Sequence, residues 1–250
     1  MSDYYGELCT RMYERDKSLA QGEELRFFLS FVENKEMNVL EPMCGNGRML
    51  IPFMQEGIDI EGFDLSVDML ERCREKCVDL NLIPTIYHDK IEEFSTDKKY
   101  DLIMIPFGSF SLLPDHLVAK SLENLSSLLK ENGKLLLTIM ATSNTSEEIP
   151  NWAQTNRVEF TDDTIIEWKK VHYDEHEKTL HTTIKYVLMR DQTVIKTETM
   201  NFPIRLYEEN EFDTILSRNG FPNVTIHEVK DGYGFGRSFD VYECMTEKAL

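Results

Sequence analysis

Long apolar runs and a leader-like N-terminus are missing from this 250-residue chain. No run of about eighteen apolar residues occurs, so the sequence predicts no membrane-spanning helix. The segment from Met1 to Tyr5 lacks a basic stretch followed by an apolar one, so we expect no signal peptide. The apolar content of 41% is nevertheless sufficient for a core. Together these features predict a cytoplasmic protein without a membrane partner.

Basic charge is also scarce. The chain has 27 lysines and arginines against 45 aspartates and glutamates, a formal net charge of −18. A surface this acidic repels phosphate backbones unless a local basic patch overrides it, and no run of lysines and arginines is present. We therefore expect no nucleic-acid partner, and the charge favours a small or cationic substrate.

Signals for disulfides and metals are weak. The five cysteines are an odd number without the paired spacing of a zinc site, so reduced thiols of a cytosolic protein are expected. His172 and His176 are four positions apart, but they flank a predicted hairpin turn and no cysteine joins them. They are interpreted as solvated turn residues, and the sequence predicts no metal.

The most informative segment that is present runs from Val39 to Leu50. It begins as an apolar strand that ends in the acid Glu41, and a turn containing Gly45 and Gly47 follows. A second apolar run ends in Asp64. This spacing is typical of a nucleoside-binding βαβ unit. An ordinary tight βα turn is the alternative, and the two correctly spaced acids argue against it.

The same turn distinguishes between nucleoside cofactors. A dinucleotide fingerprint has a third glycine three positions after the second, and that position is Leu50. A carboxylate at Glu41 would repel a pyrophosphate, but it suits a ligand with an ammonium group and a sulfonium charge. Asp64 would accept hydrogen bonds from two ribose hydroxyls. The pattern therefore predicts S-adenosylmethionine as the cofactor.

These residues resemble the motifs of the class I S-adenosylmethionine-dependent methyltransferases. The first motif of that family is usually an acid followed by three alternate glycines, and here Met43 stands in place of the first glycine. Later segments resemble the remaining motifs in the right order, namely Asp64 to Met69, His88-Asp89, Tyr100 to Ile105 and Leu128 to Leu137. The resemblance covers most of the chain and is specific to the fold and cofactor, but much less to the substrate.

The resemblance implies cofactor-binding roles for residues that follow four consecutive strands. Among them, the acid Asp89 would meet the adenine amino group. The implied set is Glu41, Met43, Gly45, Asn46, Gly47, Asp64, Leu65, Met69, His88, Asp89, Lys90, Ile105 and Pro106.

Alternating strand and helix patterns predict an α/β fold, a Rossmann-like doubly wound sheet that is mostly parallel with an antiparallel last strand. Helices are predicted at about 17–32, from the glycine turn to 57, and at 66–80, 115–130 and 208–219. Period-two patterns from 157 to 203 predict three antiparallel strands. We expect one methyltransferase domain over 1–250, with an inserted antiparallel substrate-cover subdomain at 157–203.

No catalytic residue can be assigned, because methyl transfer depends mainly on positioning and needs a base only when the nucleophile arrives protonated. Phe107 and Phe110, in the loop after the fourth strand, are substrate candidates, with core packing as the alternative. Tyr4 and Tyr5 are candidates for closing over the cofactor, with a frayed terminus as the alternative. Arg205 lies in an Arg-x-Tyr stretch similar to one in amino-sugar methylating enzymes, with a structural ion pair as the alternative.

We therefore predict an S-adenosylmethionine-dependent methyltransferase acting on a small molecule, with nitrogen slightly favoured over oxygen as the acceptor atom. An RNA-modifying methyltransferase is one alternative, and the missing basic patch argues against it. A non-catalytic protein that binds S-adenosylmethionine is another. The sequence leaves the acceptor and the oligomeric state open.

Overall fold

Two sheets and six α-helices make up the described part of the computed structural model, which comprises residues 5–142, 148–208, 210–229, 233 and 239–245. The helices are α1 (Glu7–Asp16), α2 (Gly22–Leu29), α3 (Leu50–Gln55), α4 (Val67–Asp79), α5 (Asp115–Leu128) and α6 (Glu211–Arg218), and a 3₁₀ turn covers Ser109–Leu112. The strands are β1 (Asn38–Pro42), β2 (Asp59–Asp64), β3 (Thr85–His88), β4 (Tyr100–Ile105), β5 (Leu129–Thr138), β6 (Met140–Ala141), β7 (Ile149–Glu159), β8 (Thr164–Asp174), β9 (Thr179–Arg190), β10 (Thr193–Tyr207), β11 (Asn223–Val229) and β12 (Phe239–Met245).

The first sheet has seven strands in the order β11-β12-β5-β4-β1-β2-β3. Strands β1 to β5 run parallel, whereas β12 is antiparallel to both β5 and β11. The run from Leu102 to Ile105 on β4 is fully buried, as expected for a strand that is covered on both faces. This sheet confirms the predicted Rossmann-like α/β fold with an antiparallel last strand.

The helices flank this sheet much as the sequence predicts, with one exception. The Oγ of Ser66 accepts a hydrogen bond from the Met69 N–H at 3.1 Å and caps α4, as expected. The helix predicted over 17–32 is present as α2 but is shorter, since it covers only Gly22–Leu29. A further helix, α1, precedes it and was not predicted.

The second sheet has five strands in the order β6-β10-β9-β8-β7, in which β7 to β10 are antiparallel neighbours. The prediction of three antiparallel strands was therefore one strand short, since β7 adds a fourth. In addition, β10 runs on past Pro203 to Tyr207 and pairs there in parallel with β6. The interpretation of 157–203 as a substrate-cover subdomain of a single domain stays a prediction.

Helix α1 lies on the second sheet rather than on the first. Its side chains Leu8, Cys9 and Met12 are buried in one cluster with Tyr186 of β9 and Met200 of β10. The sheet therefore has its own apolar face, and α1 covers it. None of the described helices has the length and apolar character needed to cross a membrane.

Candidate active site

A cavity of about 800 Å³ lies at the carboxyl ends of β1 to β4, the edge at which open α/β sheets bind ligands. Glu41 of β1 and Asp64 of β2 line it, as do Asp89 after β3 and Pro106 after β4. The volume falls within the range of small-molecule sites. The sheet edge therefore brings together four predicted cofactor residues that are far apart in sequence.

The opposite wall of the cavity comes from α1 and the second sheet. Tyr5 and Tyr13 contribute from the N-terminal segment, and residues 181–183 of β9 and 201–203 of β10 from the sheet. The cavity thus has one side built by the parallel sheet and another built by the antiparallel strands.

The turn after β1 keeps the left-handed backbone that the motif requires. Met43, which stands where the family has its first glycine, has φ of +58°, and Gly45 and Gly47 have φ of +53° and +74°. A Cβ on Gly45 would meet nothing within 4 Å, so its bare backbone faces open space in the cavity. A Cβ on Gly47 would overlap the Sγ of Cys73. Gly47 therefore serves the packing of the turn against α4.

Glu41 is a buried carboxylate with unused hydrogen-bonding capacity. Its residue is 3% exposed, and its Oε2 has no hydrogen-bond partner among the described residues. Burial raises the pKa of Glu41 well above 4.5, while the nearby Arg48 guanidinium and a hydrogen bond with the Leu50 backbone act in the opposite direction. A buried acceptor without a partner is costly unless a ligand supplies the donor. The ammonium group of an amino acid fits this position.

Backbone N–H groups of two turns, one after β1 and one after β2, hold Asp64. Its Oδ2 accepts the Gly45 N–H at 2.9 Å, and its Oδ1 accepts the Ser66 N–H at 2.8 Å. Burial raises the pKa of Asp64, and these backbone hydrogen bonds act against that rise. A carboxylate oxygen can accept more than one hydrogen bond, so both oxygens retain capacity toward the cavity. Two adjacent ribose hydroxyls match such a pair of acceptors.

The remaining predicted cofactor residues divide into two groups. Those that line the cavity besides the four above are Met43, Gly45, Asn46, Leu65, Met69 and Lys90. Gly47, His88 and Ile105 are not in the lining. The His88 Nε2 lies 3.0 Å from the Leu65 carbonyl oxygen on an exposed surface, and Ile105 is fully buried in the core. These three positions flank the cavity without facing it.

Only some of the predicted substrate-contacting residues line the cavity. Tyr5 lines the cavity and packs edge-on against Tyr13 and Phe202, at ring-centroid distances of 6.0 and 5.6 Å. Phe107 lines it as well, and its ring lies 4.6 Å from both the Lys17 Nζ and the Arg48 Cζ. Tyr4 lies outside the described residues.

Two other candidates are not in the cavity lining. Phe110 is fully buried in the core, with its ring 5.8 Å from that of Phe212. Arg205 donates from Nε to Asp115 at 2.9 Å and from an Nη to Glu211 at 2.6 Å. The alternatives of core packing and a structural ion pair therefore describe these two residues better than substrate contact.

Several lining residues were not predicted. Arg48 follows Gly47 directly and forms a buried two-pronged pair with Glu24, at 2.7 and 2.5 Å. Burial raises the pKa of Tyr13 to about 12, so its hydroxyl stays protonated and can donate. For Arg48 the sequence did contain a signal, namely its position directly after the motif glycines. The aromatic-rich N-terminal segment that holds Tyr13 was also a signal, whereas the strand residues of the second sheet had none, because only the fold brings them to the cavity.

Within the part of the chain that the structure describes, one group of possible metal ligands occurs, on the β8–β9 hairpin. Ligand atoms of Asp174, Glu177 and His181 lie within 4.8 Å of one another. Asp174 is half-buried, and Glu177 and His181 are exposed. The Asp174 Oδ1 already accepts the backbone N–H groups of His176 and Glu177, as turn aspartates do. His172 lies instead beside Glu148, at 3.1 Å. The expectation that no metal is bound stays a prediction.

Comparisons with known proteins find similarity to methyltransferases. Residues 39–133 match the family model described as a methyltransferase domain. The demethylmenaquinone methyltransferase of Staphylococcus aureus is 30% identical over 105 residues, which are 41% of this chain and 42% of that protein. The putative methyltransferase YqeM of Bacillus subtilis is 23% identical over 175 residues, 68% of this chain and 70% of that protein. The chain thus matches less than half the length of the first relative.

Solved structures extend the similarity of fold over nearly the whole chain. The sugar N-methyltransferase KedS8 from Streptoalloteichus has a TM-score of 0.77 at 17% identity, covering 99% of this chain and 96% of that one. The S-adenosylmethionine-bound amino pentose methyltransferase CalS10 from Micromonospora echinaspora has a TM-score of 0.70 at 14% identity, with 98% and 100% covered. Residues 39–133 thus match the methyltransferase domain family, and nearly the whole chain shares its fold with solved S-adenosylmethionine-dependent methyltransferases.

Proposed function

We propose that this chain is an S-adenosylmethionine-dependent methyltransferase that acts on a small molecule, with a nitrogen atom as the preferred acceptor. The observation that carries the proposal is the pairing of Glu41 and Asp64 across the bare backbone of Gly45 in one cavity. The unpartnered Glu41 oxygen suits an ammonium group, and the free acceptor capacity of Asp64 suits two ribose hydroxyls. A pyrophosphate would meet two carboxylates instead.

The residues fit the cofactor as follows. Glu41 would hold the ammonium group, Asp64 the ribose and Asp89 the adenine amino group. Around these three acids, the proposed contacts are Met43, Gly45, Asn46, Leu65, Met69, Lys90 and Pro106. The cofactor supplies a methyl group on a sulfonium, which is already a good leaving group. The chain's task is then to align the acceptor and to keep water away from the reacting atoms.

The acceptor would occupy the side of the cavity that faces the second sheet. Thr182, Thr183 and Asn201 offer hydroxyl and amide groups there, and Phe202 and Leu113 offer apolar surface. This mixture suits a small, hydroxylated acceptor. No general base is assigned, since an amine that arrives unprotonated needs none.

Two observations support nitrogen over oxygen as the acceptor atom. The net charge of −18 favours the approach of a basic amine, which is cationic in solution and loses its proton to water before its nitrogen can accept the methyl group. In addition, KedS8 and CalS10 are described as a sugar N-methyltransferase and an amino pentose methyltransferase. The cytoplasmic location and the absence of nucleic-acid and membrane partners remain predictions.

The test is a labelled-methyl transfer assay on the purified chain. S-adenosylmethionine with a labelled methyl group is incubated with a panel of amino sugars and other small amines, each matched by the hydroxyl analogue. We expect label in at least one amine, with release of S-adenosylhomocysteine. Label confined to hydroxyl analogues would reject the nitrogen preference. Tight cofactor binding without any transfer would favour a non-catalytic binding protein.

A further inference from the structure

The N-terminal end of α1 is capped by a carboxylate from the second sheet. The Glu198 Oε2 accepts the Leu8 N–H at 3.1 Å, and its Oε1 accepts the Cys9 N–H at 3.3 Å. The residue before the helix, Gly6, supplies no side-chain cap. Glu198 therefore satisfies N–H groups that a local Ser or Asp usually satisfies, from a position 190 residues away.

The contact is so close that a side chain at Gly6 would push the Glu198 carboxylate away from the helix. A Cβ on Gly6 would lie 2.5 Å from the Glu198 Oε1 and 2.6 Å from its carboxyl carbon. Glu198 also has the right charge for this place, because a helix N-terminus attracts an anion. Lys196, on the same strand, pairs with Glu7 at 2.7 Å but caps no backbone group.

From this cap a continuous series of contacts leads to the cofactor side of the cavity. Tyr5, which directly precedes Gly6, lines the cavity, and its carbonyl oxygen accepts the Ser66 hydroxyl at 2.6 Å. The Ser66 N–H in turn donates to the Asp64 Oδ1. The start of α1 is thus fixed to β10 on one side and to the proposed ribose-binding acid on the other.

The strand that carries Glu198 also reaches the acceptor side. Three to five residues further along β10, Asn201 to Pro203 line the cavity, and Phe202 packs against the Tyr5 ring. One strand therefore contributes to the acceptor wall and holds the segment that faces the cofactor.

We propose that Glu198 is a positioning residue, which holds Tyr5 and, through Ser66, Asp64 in the arrangement that binds the cofactor. It does so by capping α1, and it thereby couples the antiparallel sheet to the cofactor side of the cavity. This inference rests on the proposed function, because it assumes that S-adenosylmethionine occupies that side.

The test uses S-adenosylhomocysteine as the probe and four variants of the full chain. Glu198→Ala removes both acceptor oxygens, Glu198→Gln keeps one, and Gly6→Ala displaces the contact from the helix side. Lys196→Ala is the matched control, since it breaks the exposed pair with Glu7 and a long 4.0 Å ion pair with the Glu198 Oε2 but leaves both capping oxygens in place. Affinity is measured by calorimetry under conditions in which every variant is folded by circular dichroism.

We expect Glu198→Ala to weaken binding roughly fivefold to tenfold, which is the size of one lost helix cap. Glu198→Gln should restore part of the affinity, Gly6→Ala should weaken it, and Lys196→Ala should leave it unchanged. Amide hydrogen exchange of Leu8 and Cys9 should accelerate in the first variant. A purely structural role would accelerate exchange and lower stability without changing affinity.

Unchanged affinity in Glu198→Ala and Gly6→Ala would overturn the inference, as would an equal loss in Lys196→Ala. If Glu198→Ala does not fold, the Gln and Gly6 variants decide by the same criteria. A wild-type chain that does not bind S-adenosylhomocysteine would instead overturn the proposed function, which is a distinguishable result.

Discussion

Replacing Glu41 by glutamine should change stability and cofactor affinity in opposite directions. Glu41 is 3% exposed, and its Oε2 has no partner among the described residues. Leaving a buried acceptor unpaired costs about 1–3 kcal/mol. Glutamine keeps the shape and still has an unpaired polar atom there, but it removes the buried charge, so we expect the free energy of unfolding to rise by about 1 kcal/mol. For a chain of this size that raises Tm by about 2–4 °C.

Cofactor affinity should fall in the same variant. If Glu41 holds the ammonium group, the substitution removes a charge-assisted hydrogen bond worth about 1.5–3 kcal/mol. At about 1.4 kcal/mol per factor of ten, affinity for S-adenosylhomocysteine should fall roughly tenfold to a hundredfold. Calorimetric titration measures the affinity, and thermal unfolding without ligand measures the stability.

The pH dependence of stability provides a further check. The pKa of Glu41 is raised in the folded state, so above pH 4.5 the folded protein keeps a proton that the unfolded chain releases. The contribution of Glu41 to stability is therefore fully present below pH 4.5 and is lost as pH rises through the raised pKa. Glu41→Gln should lack this loss, so its advantage over wild type should grow as pH rises.

A second buried acid gives the matched control. Glu24 is also 3% exposed, but both of its oxygens pair with Arg48. Glu24→Gln should destabilise the protein by about 3 kcal/mol, because it leaves a buried guanidinium without its counter-charge. If Glu41→Gln is destabilising like Glu24→Gln, or binds S-adenosylhomocysteine as tightly as wild type, the reasoning about an unpartnered ligand-binding carboxylate is refuted.

Three further substitutions have defined outcomes. Asp64→Ala should weaken S-adenosylhomocysteine binding roughly tenfold to a hundredfold in calorimetry, since two acceptor sites are lost, and unchanged affinity in a folded variant would remove Asp64 from the site. Gly47→Ala should destabilise the protein by at least about 2 kcal/mol in urea unfolding, because it combines a positive φ with a clash against Cys73. An additional Cys73→Ala substitution should recover part of this stability. No recovery would mean that the clash is unimportant. Arg205→Ala should lower stability by about 1–3 kcal/mol, since it breaks the pairs with Asp115 and Glu211, yet leave cofactor affinity unchanged; a selective loss of affinity would return Arg205 to the site.

The centre of the fold was predictable because it is encoded locally. Glu41 and Asp64 each end an apolar strand, and parallel neighbouring strands bring their carboxyl ends to one edge. The two acids therefore had to be close once the strand pattern was read correctly. It was less predictable which neighbouring residues face the cavity, because the direction in which a side chain of a strand or turn points depends on packing. Ile105 points into the core, and Gly47 makes room for Cys73.

The missed elements lack a local signal for a physical reason. Helix α1 has a short apolar face and no side-chain cap of its own, and its cap comes from Glu198 on a distant strand. Strand β7 has a proline, Pro150, as its second residue and is mostly exposed, as is typical of an edge strand. Without a regular alternation of apolar and polar residues, its sequence does not differ from a loop.

The central claim, that the cavity holds S-adenosylmethionine through Glu41 and Asp64, is tested most directly by calorimetric titration of the purified chain. S-adenosylhomocysteine and NAD are titrated in parallel under the same conditions. The account predicts saturable one-to-one binding of S-adenosylhomocysteine at micromolar concentrations and no comparable binding of NAD. Tight binding of NAD, or no binding of S-adenosylhomocysteine by the folded chain, would contradict it.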